Sequence, residues 1–380
     1  MTAMTEADEG EDIVAGLEVW ATEQALPLWA DTGWDKQHGG FFERLSKDGA
    51  PDHDVARRTL VQARQIYCYA KASQFGWHPD AKEIALKGLD YLLAKARSPD
   101  GAPGYVHTLG PDGATADPSR DTYDHAFVLL ALATVHQIKP DAQIRSEIDQ
   151  TLIFLDQRLR SPHGGFNEAL PASLPRRQNP HMHMLEAMIA LFDATGEAVF
   201  QNRAGDMFGL FAGNFYDQRT QTLSEYFEDD WSKIPPVVVE PGHLAEWTWL
   251  LKGFERITGC PTARFRTALL ASALRYRDPG GLLVDEGNDQ GQITRATRRC
   301  WPQTEIAKAW IAQAEDGDES AKPEARAALA RLKKHYLDHP IPGGWYDKFD
   351  ADGRSLVETI PASTFYHVLC AISEARQVLS

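Results

Sequence analysis

Apolar residues recur at three- and four-residue intervals through most of the chain, the spacing that builds one face of a helix. Helical runs at 11–30, 80–97, 143–160, 197–215, 261–277 and 322–338 alternate with others at 56–75, 121–138, 181–194, 241–258, 301–315 and 363–378. Glycine followed by an aromatic or aliphatic residue separates the members of five of the six pairs: Gly40-Phe41, Gly104-Tyr105, Gly165-Phe166, Gly281-Leu282 and Gly344-Trp345. The steps from Gly40 to Gly104, Gly104 to Gly165 and Gly281 to Gly344 are 64, 61 and 63 residues. The gap from Gly165 to Gly281 is 116, close to two steps, and the polar segment Asp217 to Asp230 fills its middle without glycines. Six units of two helices each follow.

Six helical hairpins bury their apolar faces either in an open solenoid or in two concentric rings. A solenoid needs polar caps at both ends; the chain has no obvious cap, so the expectation is an all-α, closed (α/α)6 barrel, with the glycine-rich loops forming short β-hairpins at one rim. No linker or low-complexity segment divides it, so residues 1–380 are expected to form a single domain, with 1–10 as a flexible acidic tail.

Composition narrows the partners. With 39 basic and 54 acidic residues the net charge is -15, which opposes nucleic acid and anionic membranes, both of which select basic surfaces. No stretch approaches about 18 apolar residues, so no membrane span is expected. Met1 to Asp12 lacks the basic start and apolar run of a signal peptide. Cys68, Cys260, Cys300 and Cys370 are far apart with no Cys-x-x-Cys pair, which reads as buried thiols in a reducing cytoplasm. Neither a G-x-G-x-x-G nor a P-loop pattern occurs, so no cofactor is expected, and the histidines lack the spacing of a metal site.

The segment Glu240-Pro241-Gly242-His243-Leu244-Ala245-Glu246-Trp247 concentrates the chemistry. Proline suits the first helical position, so a helix begins at Pro241. His243 and Glu246 then share a face, where a carboxylate can orient an imidazole, and the positive helix N-terminus favours a neutral His243. The alternative is a capped helix with two unrelated polar side chains. His183 and Glu186 repeat the spacing. Polar residues cluster near the start of every second helix: Arg64 with Gln62 and Gln65; Tyr123, Asp124 and His125; Asn179, His181, His183 and Glu186; His243 and Glu246; Trp301, Gln303 and Glu305; Tyr366 and His367. With the second helices as the inner ring, these groups converge on one central pocket for a polar small molecule.

Taken singly, Arg64 lies in an apolar helix and needs an acidic partner or an anionic ligand. His125 reads as a hydrogen-bonded core histidine, and His367 alone would read the same way. Trp301, beside Gln303 and Glu305, can be a core aromatic or a platform for a sugar ring. The pairs Arg176-Arg177 and Arg298-Arg299 could hold a phosphate, but solvated salt bridges are the simpler reading.

Six ordered blocks resemble the N-acylglucosamine 2-epimerase family, which includes cellobiose 2-epimerases, mannose isomerases and sulfoquinovose isomerases. They are Gly39-Gly40-Phe41, Gln62-Ala63-Arg64-Gln65, Asn179 to Glu186, Glu240 to Trp247, Trp301-Pro302-Gln303-Thr304-Glu305 and Ser363 to His367. The resemblance implies an (α/α)6 barrel in which His243 and His367 are the acid/base pair and Glu246 supports His243. It implies that Arg64, Asn179 and His183 contact the sugar, with Tyr123 and Trp301 lining the pocket; Glu305 is counted with the substrate-binding residues. The Trp301 to Glu305 block is most similar to the bacterial mannose isomerase branch. Phe365-Tyr366 stands where disaccharide epimerases of the family place a further tryptophan, which counts against a disaccharide.

The expected activity is aldose–ketose isomerisation of the D-mannose to D-fructose type through a cis-enediolate. His367 would take the C2 proton and Arg64 would stabilise the oxyanion, with a monosaccharide as partner and the protein a monomer or homodimer. Delivery of a proton by His243 to the opposite face of C2 would make it a 2-epimerase. Readings from other classes are an inverting glycoside hydrolase using two of Asp124, Asp229 and Glu305, and a sugar-binding barrel without catalysis.

Overall fold

A computed structural model describes residues 12–380; the acidic tail expected at 1–10 lies outside the described residues. The outer helices are Ile13–Trp20 continuing through Leu26–Asp31, then Ala81–Lys95, Ala142–Phe154, Ala198–Leu210, Ala263–Ala273 and Ala321–Leu332. The inner helices are Thr59–Phe75, Thr122–Ile138, Asn179–Thr195, Pro241–Thr258, Trp301–Glu315 and Phe365–Leu379. Each inner helix packs on the next, and Phe365–Leu379 returns to Thr59–Phe75, so the ring is closed. Trp345 stacks between Trp29 and Phe365 at centroid distances of 5.5 and 5.6 Å, joining the last unit to the first. An inner helix touches protein on both sides and is therefore apolar around most of its circumference; Thr122–Ile138 is buried from Asp124 to Val135 without interruption.

Local hairpins form in three loops, Thr108–Leu109 with Thr115–Asp117, Tyr216–Asp217 with Thr222–Leu223 and Glu286–Asn288 with Ile293–Arg295, and a second set of ladders runs between units. A short strand immediately before each inner helix pairs with a strand after the outer helix of the following unit. Arg57–Arg58 pairs with Thr108–Leu109, Arg120–Asp121 with Ala169–Leu170, and Arg176–Arg177 with Tyr226–Phe227. Val238–Val239 pairs with Glu286–Asn288, Arg298–Arg299 with Lys348–Phe349, and Thr359–Pro361 returns to Arg44–Ser46. These ladders stitch neighbouring units together and close the circle a second time. They also correct one boundary: the helix expected from residue 56 starts at Thr59, because Arg57 and Arg58 are spent on the ladder.

The loops are tied to the inner helices by a repeated contact. Gln62 Oε1 accepts the Phe41 N–H at 2.8 Å, His125 Nε2 that of Tyr105 at 3.0 Å, His181 Nε2 that of Phe166 at 2.9 Å, and Gln303 Oε1 that of Leu283 at 2.9 Å. Glycine is required for this approach at Gly165, where φ is +65° and an added Cβ would stand 2.6 Å from His181 Nε2. In the fourth unit, which lacks the glycines, Gln221 adopts φ +58° in the turn between Tyr216–Asp217 and Thr222–Leu223. No helix among the described residues is long and apolar enough to cross a membrane.

Candidate active site

The N-terminal ends of the inner helices all lie at the ladder end of the ring, and there the structure assembles residues spread over three hundred positions. His243 and His367 approach the same indole: Trp301 has its centroid 5.0 Å from the His243 ring and 5.6 Å from the His367 ring. Gly242 allows this, since a Cβ there would lie 2.5 Å from the Trp301 ring. Both imidazoles are buried, at 4% and 5% exposure. Tyr123, Asn179 and Trp301 are half-buried.

Each imidazole is oriented by a carboxylate, but not by the one its helix suggests. His243 Nδ1 donates to Glu225 Oε2 at 2.9 Å, and the same oxygen accepts from Gln178 Nε2 at 3.0 Å. The expected support from Glu246 is therefore corrected: Glu246 faces the centre, its Oε1 3.8 Å from His183 Nε2 and without a hydrogen-bond partner. His367 Nδ1 donates to Glu305 Oε1 at 2.8 Å. His183 Nδ1 donates to Glu186 Oε2 at 2.8 Å, and Glu186 also accepts from the Tyr366 hydroxyl. A carboxylate on Nδ1 fixes the tautomer and leaves Nε2 to face the ligand.

The pKa values of the two histidines around Trp301 are shifted in opposite directions. Burial alone would depress His243, yet the Glu225 carboxylate on its Nδ1, and Glu240 beyond it, outweigh it and lift the pKa to about 9. The neutral His243 expected from its helix N-terminus is thus overturned by full-charge carboxylates at closer range. His367 moves the other way: burial, then Arg64, Lys308 and His183, hold it well below the usual histidine range. Burial and the Glu305 charge push Glu246 far above the ordinary carboxylate range, and burial lowers His183 to about 4.

Arg64 donates from Nη1 to the Ser363 carbonyl at 3.0 Å and from Nη2 to the Tyr123 hydroxyl at 2.9 Å, with the Phe127 ring 4.1 Å from its Cζ. Its Nε has no partner, and among the described residues no carboxylate pairs with it. A buried guanidinium with neutral partners leaves positive charge available for an anion. Asn179 Oδ1 is likewise buried without a partner.

Nine expected site residues therefore gather at this end: Arg64, Tyr123, Asn179, His183, His243, Glu246, Trp301, Glu305 and His367. Gln62, His125, His181 and Gln303 do not join them, being committed to the loop contacts. Of the three candidate hydrolase carboxylates only Glu305 lies here, where it is bonded to His367, so the required pair is not formed. Asp124 accepts from His107 at 2.6 Å and from the Leu60 N–H at 3.2 Å inside the wall, and Asp229 is exposed in a loop beside His163. The arginine pairs serve the scaffold: Arg176 donates to the carbonyls of Gly164, Phe166 and Asp229, Arg177 pairs with Glu168 at 2.7 Å, and Arg299 with Asp285 and Glu240 at 3.1 and 2.8 Å. A cavity of about 880 Å3 opens at the other end of the ring, between the C-terminal halves of the inner helices. Lys71, Trp249, Arg256 and Glu374 line it, and Glu186 is the one expected polar residue that reaches it.

Glu225 was missed, although a repeat signal points to it. Two residues after the apolar loop residue stand Glu43, Glu168 and Asp285, and each accepts the backbone N–H and guanidinium of the arginine preceding an inner helix. Glu225 follows Leu223 at the same offset. The corresponding strand there is Val238–Val239, without arginine, so its carboxylate is left for His243. Folding also brings ligand atoms of Glu225, Glu240 and His243, and of Glu246, Glu305 and His367, within 4.8 Å of one another. Each set already holds a side-chain cation, Arg299 on Glu240 at 2.8 Å and Lys308 on Glu305 at 2.7 Å, and we assign no metal ligand in either.

The N-acylglucosamine 2-epimerase (GlcNAc 2-epimerase) family model matches residues 40–371. The chain belongs to the N-acylglucosamine 2-epimerase family. A mannose-6-phosphate isomerase of Rhizobium meliloti is 36% identical over 377 residues, covering 95% of this chain and 96% of that one. A D-mannose isomerase of Marinomonas mediterranea is 27% identical, covering 94% and 96%. Among solved structures, the cellobiose 2-epimerase of Spirochaeta thermophila superposes with a TM-score of 0.87 at 23% identity, covering 97% and 96%; it shares the (α/α)6 fold of this family member.

Proposed function

We propose that this family member is an aldose–ketose isomerase acting on an unphosphorylated hexose of the D-mannose/D-fructose type. The observation that carries the reading is the meeting of two imidazoles on one indole, each oriented through Nδ1 by a carboxylate, with the Arg64 guanidinium, which no carboxylate among the described residues pairs, nearby. With the sugar ring open, His367 Nε2 removes the proton from C2. The C2–H electron pair forms the C1–C2 double bond and the carbonyl pair moves onto O1, where Arg64 stabilises the oxyanion. His243 gives a proton to O1 and takes one back from the O2 hydroxyl; the O2 electron pair then forms the C2 carbonyl as the C1–C2 double bond takes the proton from His367 at C1, which gives the ketose. His243, charged near neutral pH, is the acid of the site, and Glu246, held protonated, can hydrogen-bond a hydroxyl. The reaction leaves the overall oxidation level unchanged and needs no redox cofactor.

Among the described residues the rim arginines Arg177 and Arg299 are committed to Glu168, Asp121, Asp285 and Glu240, which supports an unphosphorylated substrate. The Rhizobium relative carries the name of a phosphosugar isomerase, so both classes belong in the test. A second reading, 2-epimerisation, has its own support: a protonated His243 across from His367 is what delivery of a proton to the other face of C2 requires. Time courses by NMR with D-mannose, mannose 6-phosphate, D-glucose and cellobiose separate these outcomes. Fructose signals from D-mannose are expected. Glucose without fructose would replace isomerase by epimerase, and turnover of mannose 6-phosphate alone would overturn the unphosphorylated substrate.

A further inference from the structure

Beneath the site lies a lysine that reaches the proposed reacting centre only through Glu305. Lys308 is fully buried, one turn along its helix from Glu305. Its Nζ stands 2.7 Å from Glu305 Oε2, 3.7 Å from the Trp249 ring centroid and 3.8 Å from Cys370 Sγ. The other oxygen of Glu305 is the one that accepts from His367 Nδ1. Ammonium, carboxylate and imidazole thus form one line from the second layer to the candidate base. A buried ammonium is costly unless paired, and a buried Glu305 with no cation would either take up a proton or place its whole charge on His367.

We propose that Lys308 is a positioning residue: its ammonium holds Glu305 as a carboxylate aligned on His367 Nδ1, so that His367 keeps the tautomer whose Nε2 lone pair faces the sugar. The proposal rests on the reading of His367 as the base. The other charged or titratable groups around His367 are Arg64 on Thr59–Phe75, His183 and Glu186 on Asn179–Thr195, Glu246 on Pro241–Thr258 and the neighbouring Tyr366. Of these, Arg64 and His183 act in the same direction as Lys308, and Glu186 opposes them.

The test is an NMR pH titration of the full chain labelled with 15N-histidine, the His367 signals being those lost in His367→Asn. Wild type should show a neutral ring protonated on Nδ1 through pH 6 to 8. In Lys308→Met the midpoint should rise by about one pH unit or more, the usual effect of one nearby charge, and the acid limb of kcat/KM should rise with it. Lys308→Met with Glu305→Gln removes both charges and should return the midpoint to the wild-type side, whereas a packing effect would persist. Lys308→Gln carries the same expectation should the methionine variant fail to fold. A folded single variant in which His367 keeps both its wild-type midpoint and its Nδ1-protonated tautomer overturns the proposal. A shifted titration together with a fully active His367→Ala would leave the Lys308 link standing and remove the isomerase reading instead.

Discussion

The charge on His243 can be removed without disturbing its hydrogen bonds, which makes Glu225→Gln a clean perturbation. Glu225 Oε2 accepts from both His243 Nδ1 and Gln178 Nε2, while Oε1 has no partner. A glutamine with its carbonyl in the Oε2 position keeps both contacts and turns its NH2 toward the unpartnered side. What disappears is the largest of the forces that raise His243 against burial. Lifting that imidazole from 6.5 to about 9 corresponds to about 3 kcal/mol of preferential proton binding by the folded chain, at about 1.4 kcal/mol per pH unit. Because the folded pKa is the higher one, this stabilisation is complete below pH 6.5 and is lost as the pH rises through about 9. In wild type the basic limb of kcat/KM should therefore lie near pH 9, and the Tm should fall between pH 6.5 and 9. Glu225→Gln should bring the limb down by about 1–2 pH units and flatten that fall in Tm. A pH–rate profile from 6 to 10 with parallel thermal melts measures both. A folded variant with the wild-type limb and Tm slope would show that Glu225 does not govern His243, and the charge assignment of the pair would fail with it.

Two further outcomes follow from the geometry. His243→Ala and His367→Ala should each lower kcat by about 10²–10⁴-fold with unchanged far-UV CD; near-wild-type turnover in either removes that histidine from the reaction. Gly242→Ala would place a Cβ 2.5 Å from the Trp301 ring, so the indole must move away from both imidazoles. Its tryptophan fluorescence should change and kcat/KM should fall at least about tenfold, and wild-type values for both would mean that Trp301 does not organise the pair.

Much of this arrangement is legible in the chain because helical periodicity and a repeat of about sixty residues are local properties of the sequence. Gly40-Phe41 and Gly165-Phe166 mark where an outer helix has ended, and the inner helices follow at a fixed remove. The ladders were not legible. Strands of two or three residues, such as Arg57–Arg58, carry no periodicity, and their partners lie in the next unit. The partner of His243 was misplaced for a related reason. Spacing within one helix brings Glu246 to mind, but a side chain at i+3 can turn to the ring centre while a residue eighteen positions earlier, on a neighbouring loop, reaches Nδ1.

The repeat also accounts for how a scaffold position becomes a functional one. In three units the carboxylate two places after the apolar loop residue neutralises an arginine on the ladder, which holds the rim together. In the second unit that place is His107, paired with Asp124, and in the sixth it is Asp347, which accepts from Thr364. In the fourth unit the arginine is absent, and the carboxylate, Glu225, already buried and aimed at an inner-helix N-terminus, finds an imidazole there instead. The ladder loses one ion pair, and the ring gains a charged histidine at the point where six helix ends meet. A buried carboxylate holds its charge only with a cationic or hydrogen-bonding partner, so losing the arginine favours the imidazolium. On this account, Val239→Arg would offer Glu225 its usual guanidinium and draw it away from His243.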